Sequence, residues 1–261
     1  MNFKKFLAAN RQQGLRVLLI RTDRIGDVVL SSAAAELLKR HFPTFRISFL
    51  VRDYTKAVLT NNPFIDEIIA TDGLTFKELA ERIKDNDIGV AMYASKTAVY
   101  APLFAKIRFR AGPLSKLRSL FLNIRVIQNR SRSVKNEGEY NLELLGKVFN
   151  IPTGEKIYPK IYLSEAERDE AAAYILKNHG IKNGDDFLII HPGSGGSSKD
   201  YPKGNFFKLA KNLAQNGTKV IISGSAEEIA AYKKEYAEIG ENLFSDALPL
   251  RKFLALISFA K

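Results

Sequence analysis

The stretch LRVLLIRTDRIGDVVLSSAAAELLKRHFP, Leu15 to Pro43, decides the fold. Leu15 to Arg21 is an apolar run closed by a basic residue, the pattern of a parallel strand covered on both faces. TDRIGD follows as a polar turn. VVLSSAAAELLKRHFP then places Val29, Ala33, Leu37 and Leu38 at helical spacing and stops at Pro43. A strand that passes through a turn into a helix sets that turn outside the carboxyl end of a sheet, where open α/β folds hold their ligands.

The alternation continues downstream. Ile47–Val51, Ile65–Ile69 and Ile88–Ala94 are expected strands, with short helices over Tyr54–Asn62 and Phe76–Lys84 between them, as in a doubly wound sheet. Residues 98–136 mix short apolar and basic stretches with no clean period. Helices and one short strand near Ile107–Arg110 are expected there. Tyr140, Leu144 and Val148 recur every four residues in a further helix, and IPTGEKIYPKIYLS carries enough Pro and Gly to be a connector. Two domains follow, 1–155 and 156–261.

The second domain opens with SEAERDEAAAYILKNHG, where Ser164 and Glu167 have capping-box spacing and Gly180 closes the helix. Phe187–His191 and TKVIIS are its clear strands, each followed by a turn and a helix. Two strands are fewer than the four to six of most sheets, so this domain is expected to be incomplete. The helix LRKFLALISFAK is expected to leave Phe253, Leu254, Ile257 and Ala260 uncovered.

Of the 261 residues, 46% are apolar, enough for one large or two modest cores. The absence of cysteine excludes disulfides, thiolate metal sites and a cysteine nucleophile, and three histidines leave little for a zinc centre. MNFKKFLAANRQQGLR lacks the apolar stretch of a secretory signal, and no window is long and apolar enough to span a bilayer. A cytoplasmic protein, at most peripheral to a membrane, is expected. Ten charges of the net +12 fall between Ile88 and Asn136, a stretch with no acidic residue. Such a stretch is a solvated face, a contact for a phosphorylated or lipid-linked molecule, or a nucleic-acid groove.

Three turns have the chemistry of a site. In RTDRIGD, Arg21, Asp23 and Arg24 flank Gly26 and Asp27; Asp27 is either a helix N-cap or a general base facing a cleft, and both roles suit a carboxylate there. In HPGSGGSSKDYPKG, Gly193, Gly195 and Gly196 with Ser194, Ser197, Ser198 and Lys199 gather amides, hydroxyls and a cation between strand and helix, a recipe for phosphate. It is not a Walker sequence, and no GxGxxG opens the first helix. The bland alternative is a small-residue surface loop. In GSAEE, Gly224 precedes Glu227 and Glu228, which either serve the helix dipole or accept from the ribose hydroxyls of a nucleotide.

RTDRIGDVVLSSAAAELLKRHFP and HPGSGGSSKDYPKGNFFKLAKNL, in that order and followed by GSAEE, resemble the two signatures and the G-x-x-x-E turn of the ADP-heptose:lipopolysaccharide heptosyltransferase family, glycosyltransferase family 9. The resemblance implies two Rossmann-like lobes of the glycosyltransferase B type, the second incomplete. It implies an inverting transfer of heptose from ADP-heptose to the lipopolysaccharide inner core. Asp27 is then the catalytic base. Ser194, Gly195, Ser197, Ser198, Lys199, Gly224, Glu227 and Glu228 face the ADP-sugar donor, and either glutamate suits the nucleoside. Arg21, Arg24, Lys106, Arg108 and Arg110 face the lipid A and inner-core acceptor. Peripheral contact with the anionic inner membrane face is implied; no cofactor is, nor a metal. The family's D-[ST]-G-x-x-H segment does not occur here. Three alternatives stand beside this: a related enzyme with another sugar nucleotide, an inactive fragment that keeps only acceptor binding, and a nucleic-acid binder resting on the basic run alone.

Overall fold

The computed structural model describes residues 2–152, 154–194, 201–237, 240 and 243–261. They form two units, Met1–Tyr162 and Leu163–Lys261. The division falls after Tyr162 rather than after residue 155 because the connector packs on the first unit: Ile157 is buried and the Tyr162 ring meets Phe64 edge-on at 6.4 Å.

In the first unit the strands β1 (Arg16–Ile20), β2 (Arg46–Val51), β3 (Glu67–Ala70), β4 (Ile88–Ala91), β5 (Phe109–Pro113) and β6 (Ile124–Val126) form one parallel sheet in the order β3-β2-β1-β4-β5-β6. The order reverses direction between β1 and β4, so this fold offers a ligand crevice beyond their carboxyl ends. Val17 to Ile20 have no exposed surface, as their apolar run requires. Each such Leu or Ile contributes roughly 1.5–3 kcal/mol by burial. Helices α3 (Phe76–Ile83) and α4 (Lys96–Phe104) cover one face, where Leu18, Ile20, Leu79, Ile83 and Ala98 share a core. Helix α2 (Ile25–His41) packs against α5 (Glu137–Phe149).

Several elements differ from the sequence expectation. Helix α1 (Phe3–Asn10) is too short to declare a period; it is held by Phe3, edge-on to Phe109 at 5.0 Å, and Phe6, tilted against the same ring at 4.7 Å. The Tyr54–Asn62 region is a 3-10 turn over Asp53–Val58. Helix α4 survives Pro102 because Ser95 caps it, accepting from Ala98 N at 3.1 Å, and because Gly89 beneath leaves room for the proline ring. Strand β5 begins at Phe109, two residues later than expected.

The second unit pairs β7 (Phe187–Ile190) with β8 (Lys219–Ile222), both parallel, and Phe244 makes a further parallel bridge to Ile222. Helix α6 (Glu165–His179) has the expected Ser164–Glu167 capping box and ends on Gly180 at φ 63°. Helices α7 (Lys203–Gln215), α8 (Ala226–Glu235) and α9 (Leu250–Ile257) complete the unit. The expectation of an uncovered α9 is corrected. Leu256 joins Ile175, Phe187 and Ile221 in a core, Phe253 and Ala260 pack on it, and Ile257 alone of the four expected residues is exposed. Helix α6 covers α9 through Ile175 and Tyr174.

Candidate functional site

Arg21 is the first residue past β1. Its backbone N–H donates to Leu50 O at 3.0 Å, which fixes it at the end of the sheet beside the switch point. The side chain is 3% exposed and holds three carboxylates: Asp27 Oδ1 at 2.9 Å, Asp23 Oδ2 at 3.2 Å and Glu137 Oε1 at 2.6 Å. Arg130 pairs with the same Glu137 and also donates to Gln128 Oε1 at 3.1 Å and Met92 O at 3.2 Å. Two guanidinium groups thus meet three carboxylates, and the cluster carries one net negative charge when all are ionised. Burial raises the Asp23 carboxyl above its ordinary range despite Arg21, with Asp27 and Glu137 pushing the same way. Burial likewise lowers Arg130.

Local sequence explains these positions. Arg24 occupies the N-cap position of α2 and Asp27 is the third helical residue, so the Asp27 carboxylate is committed to Arg21 rather than to the N-cap position proposed as its alternative role. A Cβ built on Gly26 meets nothing within 4 Å, and about a third of the Asp27 side chain is exposed: the surface beside the carboxylate is open. Glu137 opens α5, at the helix end that favours an anion. The neighbouring Gly138 lets that turn approach Leu30 of α2, where a Cβ would lie 3.5 Å from the Leu30 carbonyl oxygen and 3.2 Å from Asn136 Oδ1. Asn141 Nδ2 donates to Ser31 Oγ at 2.9 Å, and Ser31 Oγ to Asp27 O at 2.7 Å, tying α5 to the backbone of the Asp27 turn.

In the second unit the turns after β7 and β8 adjoin. Ser223 is buried and its hydroxyl lies 2.9 Å from His191 Nδ1. Glu228 closes a capping box with Ser225, accepting from Ser225 N at 2.9 Å, and its carboxylate lies so near Gly193 that a Cβ there would stand 2.1 Å from Oε1. Glu227 is exposed in the first turn of α8, its carboxyl lowered by backbone and Ser225 hydrogen bonds. Gly224 lies against the Glu228 side chain, and Ser194 is half-buried. Gly195, Ser197, Ser198 and Lys199 lie outside the described residues.

The fold therefore joins Arg21, Asp23 and Asp27 of the first turn, and adds Glu137 and Arg130, which the sequence did not single out as site residues. One signal was available: Glu137 is the first acid after the long basic run. Arg24 is exposed at the helix start. Lys106, Arg108 and Arg110 do not join the group. Because β5 starts at Phe109, residues 106–108 precede it, at the amino end of the sheet and opposite Arg21; Arg108 lies over the Phe6 and Phe109 rings at 5.5 and 5.1 Å, and Arg110 donates to Ile107 O at 2.7 Å.

A doubly wound lobe followed by a second strand-and-helix lobe is the architecture of glycosyltransferases of the B type. Two solved structures share it. A family 9 glycosyltransferase from Veillonella parvula superimposes with a TM-score of 0.80 at 17% identity, covering 94% of this chain and 74% of that one. ADP-heptose LPS heptosyltransferase II of Escherichia coli gives 0.78 at 20% identity, covering 95% and 77%. Residues 75–260 match the model of glycosyltransferase family 9 (heptosyltransferase), and the chain belongs to that family. Among curated relatives, lipopolysaccharide heptosyltransferase 2 of Escherichia coli is 23% identical over 229 residues, 82% of this chain and 64% of that protein. A Haemophilus influenzae protein assigned only at the level of glycosyltransferase is 29% identical over 84% of this chain and 66% of its own length. The chain thus spans about two thirds of the length of the curated relatives it matches.

Proposed function

We propose that the protein is an inverting glycosyltransferase that moves a heptose from ADP-heptose to a sugar hydroxyl of the lipopolysaccharide inner core. The observation that carries this reading is Asp27: a carboxylate held by a buried arginine at the carboxyl end of a parallel sheet, with open surface beside it. The reaction needs a base on the acceptor hydroxyl and charge neutralisation on the departing diphosphate. As the acceptor oxygen bonds to the anomeric carbon, the bond from that carbon to the phosphate oxygen breaks with inversion. The hydroxyl proton passes to Asp27, and the electron pair leaves on ADP. Arg21 orients Asp27, and Arg24 at the start of α2 faces the anionic acceptor. Ser194, Gly195, Ser197, Ser198 and Lys199 take the diphosphate. Of the two glutamates, Glu227 is assigned to the nucleoside, since it is exposed in the first turn of α8 whereas the Glu228 carboxylate is folded back against Gly193. The acceptor is a glycolipid, so the protein works at the anionic inner face of the membrane; no helix among the described residues is long and apolar enough to cross it.

The test is a transfer assay. The protein is incubated with ADP-heptose and lipopolysaccharide stripped of heptose, and ADP release and acceptor mass are followed. Acceptor-dependent ADP release with a gain of one heptose is expected. Release with a different ADP-sugar and none with ADP-heptose would move the protein to a related donor. No release with any ADP-sugar would remove the reading.

A further inference from the structure

We propose that the turn between β5 and β6 is a bilayer-docking ridge for anionic lipid, which presents a membrane-embedded acceptor to the Asp27 site. In its second half this rests on the glycosyltransferase reading; the ridge itself does not.

Among the described residues, half of the fourteen large apolar side chains that stand exposed fall between residues 104 and 134. The most concentrated set is Leu114, Leu117, Leu120 and Phe121. Leu117 to Phe121 form a 3-10 turn, in which residues three apart eclipse one another. Leu117, 86% exposed, and Leu120, 58% exposed, are therefore stacked on one side, while Ser119 turns inward and is fully buried. Exposing two leucines in register while burying a serine is the reverse of what a water-facing turn requires.

Charge says what covers them. Lys116 and Arg118 interleave with the leucines, and the whole stretch from Ile88 to Asn136 has ten cations and no anion. A second copy of the chain would bring like charge against like. Nucleic acid would need free aromatic faces for stacking, but three of the four ridge residues are leucines and the Phe121 ring packs against Tyr100 at 5.6 Å. An anionic bilayer offers acyl chains for the leucines and headgroup charge for the cations.

The ridge also lies at the site end of the sheet. Arg118 donates to Ala94 O at 3.1 Å, and Lys116 Nζ stands 4.4 Å from the Tyr93 ring centroid. The Arg21 guanidinium is 5.6 Å from the centroid of the same ring. One tyrosine thus separates the ridge from the group that holds Asp27.

The experiment is flotation of the 261-residue chain with vesicles of phosphatidylethanolamine and phosphatidylglycerol, and with phosphatidylcholine alone. Binding to the anionic vesicles, weakened by salt and weak to phosphatidylcholine, is expected. Leu117→Ser/Leu120→Ser and Leu117→Asp/Leu120→Asp should each lower the partition at least tenfold with an unchanged melting temperature, whereas Leu209→Ser, an exposed leucine of the second unit, should not. Wild-type failure to float, or double variants that float as well as wild type, would overturn the proposal. So would a lipid-free dimer abolished by the same double variants, or displacement from vesicles by a single-stranded oligonucleotide. Transfer to a detergent-dispersed acceptor without vesicle binding removes the ridge and leaves the enzyme; vesicle binding without transfer to any acceptor does the opposite.

Discussion

Glu137 is the residue on which the first site depends. It accepts from Arg21 and Arg130, and both guanidinium groups are largely buried. Removing its charge leaves two cations with less compensation in a poorly solvated place, and breaking a buried pair from one side is costly. Glu137→Gln, which keeps the shape, should lower unfolding stability by about 2 kcal/mol, less than the loss of a fully buried partner because Glu137 keeps some solvent contact. A denaturant midpoint equal to wild type would show that Arg21 is held without it. Lys199 makes the companion case in the second unit. If it neutralises the diphosphate, Lys199→Ala should weaken ADP binding about tenfold or more, as loss of a charge-assisted contact does; unchanged affinity by calorimetry would end that assignment.

At the scale of elements, the second unit hangs on helix starts. Gly193 is there because the Glu228 carboxylate fills the space a Cβ would take. Gly193→Ala should push Glu228 out of its capping box and cost about 1 kcal/mol, the usual value of a lost cap. A melting temperature within error of wild type would mean the carboxylate moves aside freely. The α6–α9 contact is pinned by Arg251, which donates to Glu167 Oε2 at 2.8 Å through Nη2 and to Oε1 through Nε. The Arg251 hydrogen bond, with those from Ser164, lowers the Glu167 carboxyl to about 2. A carboxyl lowered by folding stabilises the fold above its unfolded value, near 4.5, and that contribution fades as pH falls from there through about 2. The second unit should lose stability over that window, and Arg251→Gln should flatten the loss. A pH profile identical in both proteins would contradict the assignment.

These elements also show what a sequence makes visible. The run Val17–Ile20 and the helix after it were legible because full burial leaves an unbroken apolar signature and a 3.6-residue period leaves another. The capping box at Ser164 was legible for the same local reason. Helix α1, strand β6 and the start of β5 were not, because each is short and held by contacts far along the chain, such as Phe3 on Phe109. Asp27 could be singled out from the turn it sits in. Glu137 could not, since its role comes from α5 crossing α2 at Gly138 and arriving beside Arg21, a contact across 116 positions.

Over the whole molecule, charge and family membership point the same way. The cations crowd one stretch of the first unit, part of which borders the Asp27 end of the sheet, while the turns of the second unit carry the glycines, hydroxyls and carboxylates suited to a nucleotide sugar. A transferase that joins a soluble donor to an anionic glycolipid needs both. The most direct measurement is turnover of ADP-heptose with heptose-free lipopolysaccharide by the wild-type protein and by Asp27→Asn, alongside ADP affinity and melting temperature. The account predicts acceptor-dependent release of ADP that falls about 10²-fold or more in the variant, the scale of a lost general base, with ADP affinity and melting temperature nearly unchanged. Turnover within about threefold of wild type would contradict it.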